Sequence, residues 1–128
     1  MNKIIVEDKI ITLNNEVVNL DIQVAKLKII VQNNVEIHDI NNNKDLELEI
    51  VLADNSNLIY KRFNQNLKKY QLTITLNNNT TLEYNNSLIT TTQTSLDIKA
   101  NILGNNNKCI MNIYGVSKEH GSLEIKAD

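Results

Sequence analysis

The side chains able to do chemistry are few and far apart. Cys109 is the only thiol in 128 residues. A thiolate suits sulfur transfer or iron ligation, but iron–sulfur clusters want four ligands, so one cysteine needs help from other residues or a second chain. Alternation through KCIMNIY sets Cys109 on the side of Met111 and Ile113, and the competing reading is a buried structural thiol. His120 stands in KEHG next to Glu119, and His38 ends an apolar run next to Asp39. No H-x-H or H-x3-H spacing brings a second imidazole to either, as a metal site would require, and both read as surface histidines. Cys109 is therefore the candidate cofactor ligand, Cys109 and His120 are the candidate metal ligands, and no catalytic residue is assigned.

Other chemistries find less support. Glu47 and Glu49 share one face of a strand and point to solvent, with no partner acid or base near in sequence. Thr90 to Thr92 are consecutive, which reads as a turn rather than a ladder of hydroxyls. Neither G-x-x-x-x-G-K-[ST] nor G-x-S-x-G occurs, so nucleotide hydrolysis and the common esterase chemistry are not indicated. The expectation is a protein that is not an enzyme.

Such residues need a frame. The length sets a prior of one domain over residues 1–128. Aromatics make up 4% and Phe63 is the single phenylalanine, so the core must be built from Ile, Leu and Val. Net charge is −2, which argues against a broad basic face for nucleic acid. The lysines cluster only in YKRF (60–63) and LKKY (67–70), which read as a solvated loop or a lysine-protected strand edge. No apolar run approaches the roughly 20 residues that span a bilayer. Glu7 and Asp8 interrupt the stretch where a signal peptide needs apolar residues, and together with the single cysteine they point to the cytoplasm.

Proline is absent and there are only three glycines. Asparagine takes over the turns, because it tolerates positive φ and bonds its local backbone. Asparagine turns near Asn14, Asn33, Asn55, Asn78 and Asn106 lie 19, 22, 23 and 28 residues apart. That spacing falls in the range of repeat arrays. Before each turn lies an alternating run: Leu27, Ile29, Val31; Leu46, Leu48, Ile50, Leu52; Leu72, Ile74, Leu76; Leu96, Ile98, Ala100, Ile102. After the turns come Val35 and Ile37, Leu58 and Tyr60, Leu82 and Tyr84, then Cys109, Met111 and Ile113. Period two puts one face in a core and the other in water. One short helix, at most, has room around residues 64–69.

The fold expected is all-β, a right-handed parallel β-helix of about five short coils, with asparagines stacked at one corner. An antiparallel β-sandwich with asparagine hairpins is the alternative. Open ends of a coil expose strand edges, which must be capped or paired with a partner chain.

Residues 95–128, SLDIKANILGNNNKCIMNIYGVSKEHGSLEIKAD, resemble a segment of the SufB/SufD family. The matching features are Leu103 and Gly104 after a strand, Tyr114, Gly115 and Val116 at a second corner, and Gly121 before the next strand. Upstream, LEIVLADNSNLIYKRF is similar to the family's repeating coil. The resemblance covers only part of the family's β-helix and carries no site residue across. It implies a right-handed parallel β-helix acting as scaffold or accessory subunit in iron–sulfur cluster assembly. Implied partners are a SufC-like ATPase and a SufB-like subunit, or a second copy in a dimer, with no nucleic acid and no membrane. No cofactor would be held stably by this chain alone; an iron–sulfur cluster would pass through transiently with partners. The alternative function is a structural or protein-interaction β-domain with no cluster role.

Overall fold

A computed structural model of the chain describes residues 2–40, 44–119 and 121–127. Ten strands fill most of it: β1 (Asn2–Val6), β2 (Ile10–Ile22), β3 (Lys26–Asp39), β4 (Leu46–Leu52), β5 (Asn57–Gln65), β6 (Lys69–Leu76), β7 (Thr81–Thr90), β8 (Gln93–Ile102), β9 (Lys108–Ser117) and β10 (Ser122–Ala127). All belong to one sheet, and every pairing between described strands is parallel. The first half of β3 pairs with β4, then β6, β8 and β10 follow in that row. The second half of β3 pairs with β5, then β7 and β9. From β5 onward each strand returns beside the one two elements earlier, so the chain is wound upon itself. The fold is an all-β, parallel, solenoid-like one. The antiparallel sandwich does not occur: Asn33 sits inside β3, where the strand bends without reversing.

The alternating runs explain the winding. Leu27, Leu48, Leu72 and Ile98 stand beside one another in register, as do Ile29, Ile50 and Ile74, and all are buried. Each such side chain contributes about 1.5–3 kcal/mol by leaving water. A slip of one residue would turn a whole row outward, so the apolar pattern fixes the register. No helix occurs among the described residues: Asn64 and Gln65 end β5, Lys69 begins β6, and Asn66 between them has φ 53°.

Asparagine makes the corners. Asn15, Asn33, Asn55, Asn66, Asn79 and Asn106 all have positive φ, where a side chain other than Gly, Asn or Asp is costly. Their amides bond from one turn of the chain to the next: Asn33 Nδ2 to Asn14 Oδ1 (2.7 Å), Asn79 Nδ2 to Asn55 Oδ1 (3.1 Å) and Asn106 Nδ2 to Asn79 Oδ1 (3.0 Å). Gly104 lies so close to this stack that a Cβ there would fall 2.5 Å from the Asn77 carbonyl carbon.

The winding also widens. Corner amides are 19 residues apart at Asn14–Asn33, 23 at Asn34–Asn57, 24 at Asn55–Asn79 and 27 at Asn79–Asn106. Strands lengthen with it, from 7 residues in β4 to 8 in β6 and 10 in β8. The molecule has a narrow N-terminal end and a wide C-terminal one.

Candidate functional site

Two places stand out against this aliphatic background. The first is a polar column inside it. Leu20, Asp39, Arg62, Asn86 and Ile113 occupy one inward row in successive strands. The next row holds Val18, Ile37, Tyr60, Tyr84 and Met111. Three polar residues thus replace aliphatic ones in the middle of a column; Arg62 bonds Asp39 directly and is linked to Asn86 through Asn64.

Asp39 Oδ2 accepts from the Tyr60 hydroxyl at 2.6 Å and from Arg62 Nη1. Arg62 Nε donates to Asn64 Oδ1, and Asn64 Nδ2 donates to Asn86 Oδ1 at 2.7 Å. Asn86 Nδ2 reaches the Tyr84 oxygen at 3.1 Å, and the Tyr84 hydroxyl donates to that of Tyr70 at 2.8 Å. The Arg62 guanidinium lies 4.5 Å from the centre of the Tyr70 ring, a cation–π contact. Tyr60 and Tyr84 stack at 5.3 Å. Every member is buried.

Charge in such a place is held by its partners. Burial opposes the Arg62 cation, but Tyr70 and Asp39 outweigh it and its pKa is raised. Burial raises all three tyrosines, Tyr70 to about 12 and Tyr60 and Tyr84 well above the usual 10. A phenol that keeps its proton is neither base nor nucleophile near neutral pH. The column's chemistry is internal: it ties β3, β5, β6 and β7 together through bonds that hold in one register.

The second place is the wide end. Among the described residues, β9 is hydrogen-bonded only to β7, and β10 only to β8. Their inward side chains have a strand layer beneath and no described strand paired above. Ile125 stacks on Leu96 but is 41% exposed, whereas Leu96 is 0% exposed. Cys109, Met111, Ile113 and Leu123 are half-buried, though the residues beneath Cys109 and Met111, Leu82 and Tyr84, are sealed. Leu123 folds across to the place a Cβ on Gly115 would take, 2.2 Å from its Cδ2. Ile102, Leu103, Tyr114 and Val116 add exposed apolar surface around the rim. The narrow end is closed only in part: its inward Val6 and Leu13 are buried, while Ile4 and Ile11 are half-buried. Two shallow grooves on the outer faces, one crossing Val17, Ile59 and Ile110 and one crossing Lys26, Glu47 and Lys99, are open sheet surface.

The residues expected to carry chemistry are not brought together. Cys109 is half-buried on β9, and burial raises its pKa, which disfavours the thiolate. His120 lies outside the described residues. His38 is partly exposed and bonds Glu36 at 2.6 Å, and that hydrogen bond lowers the Glu36 pKa. Glu47 and Glu49 pair with Lys26 and Lys28 across strands on the outer face. Among the described residues no group of three or more His, Cys, Asp or Glu is placed to hold a metal. The patch read as a solvated loop or a lysine-protected strand edge is corrected: β5 and β6 are both paired on two sides, and in YKRF and LKKY Tyr60, Arg62, Leu67 and Tyr70 are buried while Lys61, Phe63, Lys68 and Lys69 face water. The signal was present, because the inward phase Leu58, Tyr60 continues at period two through Arg62 to Asn64. No protein-family model, curated protein or solved structure matches the chain.

Proposed function

We propose that this chain is a non-enzymatic assembly module, a right-handed parallel β-helix of about five coils that joins another protein by strand addition at its wide end. The observation that carries this is the contrast between the half-covered inward residues of β9 and β10 and the sealed residues beneath them. Unpaired parallel edges and an uncovered aliphatic layer are together a template for another strand. The test is cross-linking mass spectrometry on tagged protein recovered from its own cells. Lys108, Lys118 and Lys126 at the wide end should link to a second polypeptide. Links confined to Lys3 and Lys9 at the narrow end would discard the reading.

A second reading keeps the chain as a SufB/SufD-like component of cytoplasmic iron–sulfur cluster assembly. It is favoured by the parallel winding, the architecture that the resemblance over 95–128 implies, and by the place of Cys109 on β9, where an added chain can bring further ligands. Its partners are a SufC-like ATPase and a SufB-like subunit or a second copy. Co-purification with the ATPase, then anaerobic reconstitution, decides it. No visible charge-transfer absorbance, alone or with partners, ends the scaffold role. A Cys109→Ala variant that performs equally removes only the cysteine.

A further inference from the structure

We infer that the occupant of the wide end is a second copy of this chain, docked head to head with β10 antiparallel to its own counterpart and centred on Ile125. The inference rests on the reading of the wide end as a docking end and adds the identity of what docks. A two-fold contact between identical strand edges is antiparallel by symmetry, and each residue meets its reflection about the centre. In β10, SLEIKA, Leu123, Ile125 and Ala127 stand in register with the inward row and Glu124 and Lys126 with the outward one.

Register is then chosen by charge. Centred on Ile125, Glu124 of each copy lies opposite Lys126 of the other, Leu123 opposite Ala127, and Ile125 opposite itself. Centring on Glu124 or Lys126 sets like charges face to face, which cross-strand pairs disfavour. Centring on Leu123 puts Glu124 opposite Ser122 and leaves Lys126 beyond the pair. Centring between residues mixes the two faces and breaks the core. One register alone satisfies both rows. It extends the buried column Tyr70, Leu96, Ile125 into the second copy and covers the exposed Ile125. Among the described residues Glu124 and Lys126 pair along their own strand, at 3.4 Å and in open solvent, where both side chains can turn to engage across the interface.

The experiment uses the 128-residue chain. Size-exclusion chromatography with light scattering should give twice the 14.6 kDa chain mass. Lys126→Glu and Glu124→Lys should each raise the dissociation constant by about tenfold or more. The double swap E124K/K126E should restore the dimer, and circular dichroism should show all three variants folded. With Cys109→Ser as background, Ile125→Cys should form a disulfide-linked dimer on mild oxidation, and Ile10→Cys at the narrow end should not. A monomer at every concentration overturns the inference. So does a dimer indifferent to the single swaps, or one lost in them and not regained in the double. If the chain is a monomer whose Lys126 cross-links to a different protein, the second copy is wrong and the docking reading stands. If the wide end links to nothing, both fall.

Discussion

The hydroxyl of Tyr60 donates a 2.6 Å hydrogen bond to Asp39, 21 residues earlier in the chain and one strand below, and neither residue meets water. The same carboxylate oxygen takes Nη1 of Arg62. A neighbouring strand thus neutralises a charge that burial alone would expel. Asp39→Asn would leave Arg62 buried without its counter-ion and should cost about 3–5 kcal/mol, read by urea unfolding. Arg62→Met should cost as much by taking away the cation that balances the buried Asp39 charge. In the double variant no lone charge remains, so the loss should fall short of the sum by at least about 1 kcal/mol. Additive losses would mean that the pair is not coupled.

The same column sets an alkaline limit. Burial, the largest cause, raises the pKa of Tyr70 from the usual 10 to about 12, and raises Tyr60 and Tyr84 well above 10. The folded protein therefore keeps these protons at a pH where the unfolded chain releases them. The stabilisation is fully present below pH 10 and is lost as pH climbs through 10 toward 12. For Tyr70 alone the loss is on the order of 2–3 kcal/mol. Tyrosinate absorbance of these three rings should rise together with loss of β circular dichroism. Ionisation of all three in a protein that stays folded would refute it.

The asparagine corners separate composition from conformation. Asn79 has φ 57° and sits midway in the amide stack between Asn55 and Asn106. Asn79→Ala meets the left-handed backbone cost and loses both amide bonds, for about 2–3 kcal/mol in all. Asn79→Gly removes the bonds but not the backbone fit, and should cost about 1 kcal/mol less than the alanine. Equal losses in thermal or urea unfolding would show that the corner does not depend on φ.

Gly104 gives a contrasting case. Its φ is not positive, so backbone freedom is not the reason for glycine. Space is: a Cβ would lie 2.5 Å and 2.6 Å from the backbone of Asn77 and Asn78. Gly104→Ala should push the corner after β8 away from the one before β7 and cost about 1–3 kcal/mol. A variant as stable as the parent would mean that the two corners separate freely.

Much of this fold was legible in alternation, because a strand with one buried face must write its register into every second residue. Leu27 to Val31, Leu46 to Leu52 and Leu72 to Leu76 all take the inward places expected of them. The rule falters in two places. Ile102 keeps the phase of Leu76 and yet is 59% exposed, because periodicity says which face a residue takes and not whether another layer covers it. Arg62 keeps the phase of Tyr60 and is buried, although its charge argued for water; only the arrival of Asp39 from another strand makes that place tenable. Cys109 was read as inward and is so, but at an end where inward is not the same as enclosed.

That last distinction can be measured with one deletion made twice. Ile50 lies between Ile29 and Ile74 and is 0% exposed, so Ile50→Ala leaves a cavity walled on both sides and should cost about 2–5 kcal/mol. Ile113 rests on Asn86 with no described strand above it, so water fills the space left by Ile113→Ala and the cost should be under about 1.5 kcal/mol in dilute protein. Docking at the wide end changes the second number and not the first. If a second copy covers β9 and β10, the Ile113→Ala loss should grow as protein concentration rises through the dimer's dissociation constant, while the Ile50→Ala loss stays fixed. Urea unfolding of both variants at two concentrations reads the difference directly. Equal costs for the two variants in dilute protein would mean that the wide end is sealed, and that its strand edges offer nothing to a partner.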